Sequence, residues 1–434
     1  MKTKIWIFFL PLLLIAKDID KEIIVPLAKA EPFPSMYVSC HSPSLSETLL
    51  FDLNQNGITI ASTGGEEEEN QLLLKNPFSP LFWKSNGYSY VLKTEVTEKQ
   101  ISATLFSLKT GERTTISKKN LSGSLASDRR VMHQIADEVF EIIERKKGIA
   151  NTQIFYAVQL PDGNKWKSEI WTADYDGKNA RQLTQEKSYC IHPILFEVEG
   201  SFTKNKYLYV NYKLGQPKIY IASFGDPSGK PFIALRGNQL LPSLSPKGDM
   251  IAFISDAGGQ ADLFLQELSP EKGLLGKPMQ LYSFPNSVQA SPSFRPDGKK
   301  VAFVSDQEGT PRIYLIQIPS HRNWKRPEPI CLTRKYRENT TPSWSPDGTK
   351  LAYSAKISGV RQIMVYDFIT RDEMQLTSGK SHKENPCWAP NSTHIIFNTV
   401  SPSSSELFLI NLKQKEVVQI TQGPGKKHYP TWGP

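Results

Sequence analysis

The chain has 434 residues, 39% hydrophobic and 22% charged, with 31 prolines and 27 glycines. That composition excludes a wholly disordered or collagen-like chain and favours folded domains rich in turns over long helices. The formal charge of +9 is spread out, with no dense basic run and no nucleic-acid motif. It reads as solubility, with room for an acidic partner or anionic surface but not for nucleic-acid binding.

The chain opens MKTKIWIFFLPLLLIAKDID, with Lys2 and Lys4 ahead of the apolar run Ile5–Ala16. A bilayer crossing takes about 20 such residues, so residues 1–30 read as an export signal rather than an anchor or a buried strand. Cleavage is placed between 16 and 30. Ala28-Lys29-Ala30 fits the small-x-small rule; a cut after Ala16 lies nearer the apolar run but puts Leu14 at the minus-three position. No other stretch could span a membrane. The mature chain is expected to be exported and, in a bacterium with two membranes, periplasmic.

Residues 31–148 carry no repeat and read as a small α/β N-terminal domain. SLSETLLFDLNQNG predicts a helix: Ser44 and Glu47 have capping-box spacing, Leu45, Leu49 and Leu53 share a face, and Gly57 can end it. GGEEEEN, residues 64–70, reads as a solvated acidic loop. YSYVLKTEV and QISATLFSL, with KTGE next, predict strands joined by turns. SDRRVMHQIADEVFEIIERKKG predicts a second helix capped by Ser127, with Val131, Ile135, Val139 and Ile142 on one face. Arg145, Lys146 and Lys147 suit its negative end, and Gly148 stops it.

Residues 149–434 are repetitive. PSLSPKGDMIAFISD begins at Pro242, PSFRPDGKKVAFVSD at Pro292, PSWSPDGTKLAYSAK at Pro342 and PCWAPNSTHIIFNTV at Pro386. A worn copy starts at Pro193, and PTWGP at Pro430 ends the chain. Successive prolines stand 49, 50, 50, 44 and 44 residues apart. A period of 40–50 with several strands per unit indicates the blades of a β-propeller. The first strand of each unit ends two residues after the proline, at Leu195, Leu244, Phe294, Trp344, Trp388 and Trp432. The turn is clearest as Pro-Asp-Gly, where proline presets the first position, Asp bonds its own backbone and Gly closes the hairpin. The second strand, as in VAFV at 301–304, is apolar on both faces, as stacked blades require. The third carries Phe264, Tyr314, Met364 or Phe408. The difference in period is assigned to a surface loop before the fourth strand.

Residues 149–186 supply second, third and fourth strands but lack a first. The last six residues, YPTWGP, supply it. The expected fold is therefore an all-β six-bladed propeller closed by its C-terminal strand, which removes the open edges of a linear stack. Repetition of the tryptophans at one offset reads as packing between blades rather than an aromatic cage. Cys40, Cys190, Cys331 and Cys387 form no C-x-x-C pair and read as small buried thiols. The seven histidines show no metal-binding spacing; calcium in the channel is left open.

Together these features resemble the TolB family of the Tol–Pal envelope system. The resemblance rests on HQIADEVFEIIERKKGIANTQIFYA (133–157), the PSWSPDGTKLAY type of repeat, the leader, the six blades and the closing strand. It covers nearly the whole mature chain. The departures are the Pro193 unit, which lacks the turn and carries an insertion near 197–217, and the early part of the small domain. The resemblance implies a periplasmic, non-enzymatic hub without cofactor. Its propeller would bind the peptidoglycan-associated lipoprotein Pal, and its N-terminal region would communicate with TolA, in support of outer-membrane integrity and constriction.

Links from each fourth strand to the next first strand crowd one mouth of the ring, which the resemblance assigns to Pal. The residues two and four places before each proline are the candidate contacts: Asn238 and Leu240, Val288 and Ala290, Glu338 and Thr340, His382 and Glu384, Lys426 and His428. Solvated loop residues are the plain alternative at each single position; a concave, polar-rimmed opening is the stronger claim. The rival functions are a propeller hydrolase of peptidase, sialidase or lactonase type, and a cell-wall glycan-binding module. The sequence holds no G-x-S-x-G elbow, and its Asp-Gly turns lack the spacing of a sialidase Asp-box. A lactonase needs acidic ligands converging on the channel, which spacing alone does not reveal.

Overall fold

The continuous apolar run Met36–Val38 and the alternating Ile101, Ala103 and Leu105 build the core strands of the N-terminal sheet, and the apolar stripes of two helices cover it. The computed structural model describes residues 33–40, 42–73, 78–198, 200–319, 327–414 and 416–433. The expected export signal and its cleavage points lie outside the described residues. In chain order the N-terminal elements are β1 (Ser35–Ser39), α1 (Pro43–Gln55), β2 (Ile60–Ser62), α2 (Glu66–Leu73), α3 (Pro80–Ser85), β3 (Tyr90–Thr97), β4 (Gln100–Ser107), β5 (Arg113–Asn120) and α4 (Leu125–Glu144). The sheet runs β2-β1-β3-β4-β5. β1 is parallel to both neighbours, and β3 to β5 form an antiparallel meander.

Leu45, Leu49 and Leu53 of α1 and Ile135 and Val139 of α4 are buried as expected, with Val131 and Ile142 packed at the edge. Each full burial of this kind contributes about 1.5–3 kcal/mol. The helix starts differ from the sequence reading. Ser42, not Ser44, is the N-cap of α1, because Pro43 is fit only for the first turn. Ser124, not Ser127, caps α4, and Arg145 in the left-handed conformation ends it before Gly148. The acidic stretch is no loop: it opens α2, where four carboxylates suit the positive helix end. Glu69 turns inward to accept hydrogen bonds from Tyr37 and Ser39.

Six four-stranded antiparallel sheets follow. Blades 2 to 6 begin with the inner strands Cys190–Leu195, Gln239–Leu244, Gln289–Phe294, Asn339–Trp344 and His382–Trp388. Blade 1 has Lys426–Trp432 as its inner strand, paired antiparallel with Gln153–Asp162. Thr431 faces Phe155 and Trp432 faces Ile154. Gly433 N–H donates to the Gln153 carbonyl at 2.8 Å, and Trp432 Nε1 to Thr152 Oγ1 at 2.7 Å. The ring is thus closed by its two chain ends, as the sequence implied, with a closing strand that starts three residues earlier than YPTWGP. Trp388 Nε1 donates to the Ser343 carbonyl of the preceding blade at 3.0 Å. Trp344, Trp388 and Trp432 are all buried, so they pack between blades. The second strands are buried throughout, as at Val301–Val304. Asp297 and Asp347 each accept a hydrogen bond from a backbone N–H two residues on, and Gly298 and Gly348 have φ near +68° and +69°.

The extra residues of the longer units do not all form loops. In blade 3 they lengthen a hairpin, Asp262–Ser269 with Gly273–Tyr282. All four cysteines are free; Cys190 is buried and the others are half-buried. Among the described residues no helix is long and apolar enough to cross a membrane.

The small domain and blades 1 and 6 share one core, in which Leu53, Val139, Ile154, Leu409 and Trp432 belong to a single cluster. Gly177, in the outer turn of blade 1, shows how tightly this seam is packed. A Cβ there would lie 1.6 Å from the Ile420 carbonyl oxygen of blade 6, at φ +81°. Gly177→Ala is expected to destabilise the protein by about 2–3 kcal/mol, read as a lower urea midpoint. Gly87, at the same φ but with open space around it, should lose only about 1 kcal/mol on the same change. Equal losses would contradict the packing described.

Candidate functional site

Antiparallel pairing sorts the connections onto two faces. Turns between first and second strands lie on one face with the loops between third and fourth strands. The hairpins between second and third strands lie on the other face with the blade-to-blade links. The small domain docks on the first face: the Gln55 carbonyl at the end of α1 accepts from Asn411 Nδ2 at 3.0 Å and meets His394 Nε2 at 2.6 Å. The mouth formed by the links faces away from this contact.

Seven of the ten sequence-assigned mouth residues lie on the inner strands themselves, not in links: Leu240, Ala290, Thr340, His382, Glu384, Lys426 and His428. Asn238, Val288 and Glu338 immediately precede those strands. The structure brings four of the ten together. Arg361, on the blade 5 hairpin, pairs Nε with Glu384 at 3.2 Å and NH2 with Glu338 at 3.7 Å. Its NH1 donates to Thr340 Oγ1 at 3.2 Å, and its backbone N–H to His382 Nδ1 at 3.2 Å. Lys356 completes the group, 2.9 Å from Glu338. The other six stay apart. Asn238 donates twice to Asp256, and the Val288 N–H donates to Asp306. Leu240 and Ala290 pack against interblade cores. Lys426 sits 5.2 Å from the Trp166 ring and donates to the Pro402 carbonyl. Burial, helped by Lys426, lowers the His428 pKa to about 4, so its ring is neutral.

The mouth is therefore two-sided. Blades 5 and 6 present ion pairs. Blades 1 to 3 present exposed apolar groups on the same face: Trp166 and Leu214 from hairpins, Phe284 and Val288 from the link after blade 3. Surface ion pairs are each worth about 0–1 kcal/mol, so the Arg361 cluster holds geometry more than it holds the fold. Arg361 and Lys356 escaped the sequence reading because hairpin residues lie off the repeat motif. Asp256 and Asp306 had a signal, the Ser-Asp-x-x-Gly shared by two units.

The inner strands hold a second feature that the sequence reading missed. The residue before each repeat proline is left-handed: His192, Leu241, Ser291, Thr341, Asn385 and Tyr429, with φ between 47° and 54°. A residue before proline is ordinarily extended. Here the ladder shifts register at the same place in every blade, a bulge that re-aims the side chain. Where the ring closes, the His192 and Tyr429 rings lie 3.9 Å apart. Burial lowers the His192 pKa to about 3 and raises that of Tyr429 to about 12. Two positions before the left-handed residue, buried polar chains tether the incoming links: Gln239 donates to the Ile233 and Leu235 carbonyls, Asn339 to Tyr336 and Lys427 to Gly423.

On the opposite face, a buried cluster joins the two domains. His133 Nδ1 of α4 meets Asp52 Oδ2 of α1 at 2.7 Å, and Tyr175 of blade 1 donates to Asp52 Oδ1 at 2.8 Å. Arg129 pairs with Asp176, and Arg130 Nε stands 3.6 Å from Asp174 Oδ1. Burial alone would lower the His133 pKa, but Asp52, with Asp176 and Asp174, outweighs it and raises it. His133, Asp174 and Asp176 are close enough to hold a metal ion. The two guanidinium groups oppose that use. With His133 protonated they balance the three carboxylates without an ion.

The family described as TolB beta propeller domain matches residues 140–434. A TolB homolog of Protochlamydia amoebophila is 42% identical over 373 residues, covering 83% of this chain and 79% of that protein. A TolB homolog of Chlamydia trachomatis serovar D is 38% identical over 163 residues, 37% of each chain. The crystal structure of TolB from Acinetobacter baumannii superposes with a TM-score of 0.74 at 18% identity, covering 95% of this chain and 99% of that one; at that identity the likeness speaks for the fold.

Proposed function

The chain belongs to the TolB β-propeller family, and from that premise we propose that it is a periplasmic, non-enzymatic protein-binding hub of a Tol–Pal system. The mouth docks a Pal-like lipoprotein, and the N-terminal region engages a TolA-like inner-membrane protein. Its role is outer-membrane integrity and constriction during division. The observation that carries the reading is the convergence of Glu338, Thr340, His382 and Glu384 on Arg361, on the face left uncovered by the small domain. Preorganised charges beside exposed apolar groups suit a folded protein partner.

Arg361→Glu tests the reading. It places three carboxylates together at the mouth and is expected to weaken capture of the Pal-like lipoprotein by at least about tenfold. The melting temperature should move by no more than about 2 °C, because the pairs it breaks are surface pairs. Titration calorimetry and scanning calorimetry give the two numbers. Unchanged affinity would remove the mouth as the docking site.

A further inference from the structure

Two departures from the repeat meet at one place. Blade 2 lacks the Pro-Asp-Gly turn, and its excursion through 200–205 leans on blade 3. The N–H groups of Phe202 and Thr203 donate to the Pro270 carbonyl at 2.9 and 3.1 Å, and Ser201 is bonded to Glu271. Blade 3 answers with the lengthened hairpin around Gly273. That glycine is at φ +84°, and a Cβ on it would press on the Phe202 ring at 3.0 Å. Between them lies a groove of about 500 Å³, within the range of small-ligand sites. It opens at the outer edge of the face that carries the small domain, on blades 2 and 3, whereas that domain contacts blades 1 and 6.

Its lining is one-sided in charge. Lys206, Lys230 and Lys272 face it against the single carboxylate of Asp226, which the Ser228 N–H already engages. No acidic side chain among the described residues pairs with the three lysines. The apolar wall is Phe202 and Phe232, with rings 6.1 Å apart, together with Leu274. Lys206 Nζ is held 4.1 Å from the Phe202 ring centre.

We propose that this groove is a second binding site, separate from the mouth, for a small sugar-sized ligand carrying a carboxylate or phosphate. The apolar face of the ligand rests on Phe232 and Leu274, and its anion reaches the lysines, whose compact ammonium groups act as point charges for either anion. The site owes nothing to the partner reading above.

Three probes share one sugar body and differ in charge: N-acetylmuramic acid, N-acetylglucosamine 1-phosphate and neutral N-acetylglucosamine. Ligand-observed NMR on the mature chain should show binding of at least one charged probe below about 10 mM. The affinity should fall with salt. The neutral sugar should bind at least about tenfold more weakly. Which charged probe binds tells carboxylate from phosphate. Lys230→Glu with Lys272→Glu, both exposed positions, should abolish the signal while Arg361→Glu leaves it intact. Failure of both charged probes, equal binding of the neutral sugar, or indifference to the lysine reversals would each overturn the proposal.

Discussion

Deleting residues 426–434 is expected to abolish cooperative folding of the propeller. The loss goes far beyond nine residues of tail. Blade 1 would lose its inner strand, and Gln153–Asp162 would become an open edge carrying the buried Ile154, Phe155, Tyr156 and Ala157. Such an edge is a template for aggregation. The inner strands of blades 2 and 6 would also lose the neighbour packed between them. Trp432→Ala alone should cost about 3–5 kcal/mol, against a typical total stability of about 5–15 kcal/mol. Calorimetry and near-ultraviolet circular dichroism should show no sharp transition for the deletion, and a lowered but cooperative one for Trp432→Ala. A truncated chain melting within a few degrees of the full one would mean that the ring does not depend on its closing strand.

The second large effect belongs to His133. The ring is 1% exposed and Asp52 beside it is fully buried. Removing one partner of such a pair leaves an uncompensated buried charge, so His133→Ala should cost about 3–5 kcal/mol. The effect is pH-dependent, and its sign follows from the raised pKa. The folded state holds the proton more tightly than the unfolded chain, so stability falls as pH rises. The contribution is complete below about 6.5, the unfolded value, and is lost as pH climbs through the folded one. Asp52, which burial pushes up to about 6 despite His133, titrates in the single variant as well, so the reference is the doubly neutral Asp52→Asn, His133→Gln. The difference in unfolding free energy between the wild type and that variant should shrink from pH 6 to pH 9 in urea titrations. A difference that grows with pH would show that His133 is held neutral.

The ring was legible because its logic is periodic. The prolines, the aromatic two places later and the Asp-Gly turns recur at fixed spacing, and the missing strand at residue 149 has its counterpart at Pro430. Burial of Leu49 and Val139 followed from helical spacing in the same way. What stayed hidden depends on contacts that spacing does not encode. The left-handed residues before the prolines carry no glycine to announce them, and the rule for residues before proline points the other way. Glu66–Glu69 looked like a solvated loop because the favourable field of a helix start exists only once the helix has formed. Asp52 and His133 are far apart in the sequence and meet only where two helices of the small domain pack, and Asp174 and Tyr175 join them only when that domain docks on blade 1. At the mouth, counting back from the prolines located Glu338, Thr340, His382 and Glu384, but not the hairpin arginine that gathers them.

The most direct test of the account is hydrogen exchange on the complex with the Pal-like lipoprotein. Protection should concentrate at 336–341, 356–362, 380–386 and 424–429, with little change in the turns at 345–349 and 174–179 on the opposite face. Protection confined to that opposite face, or to the outer strands, would contradict docking at the mouth.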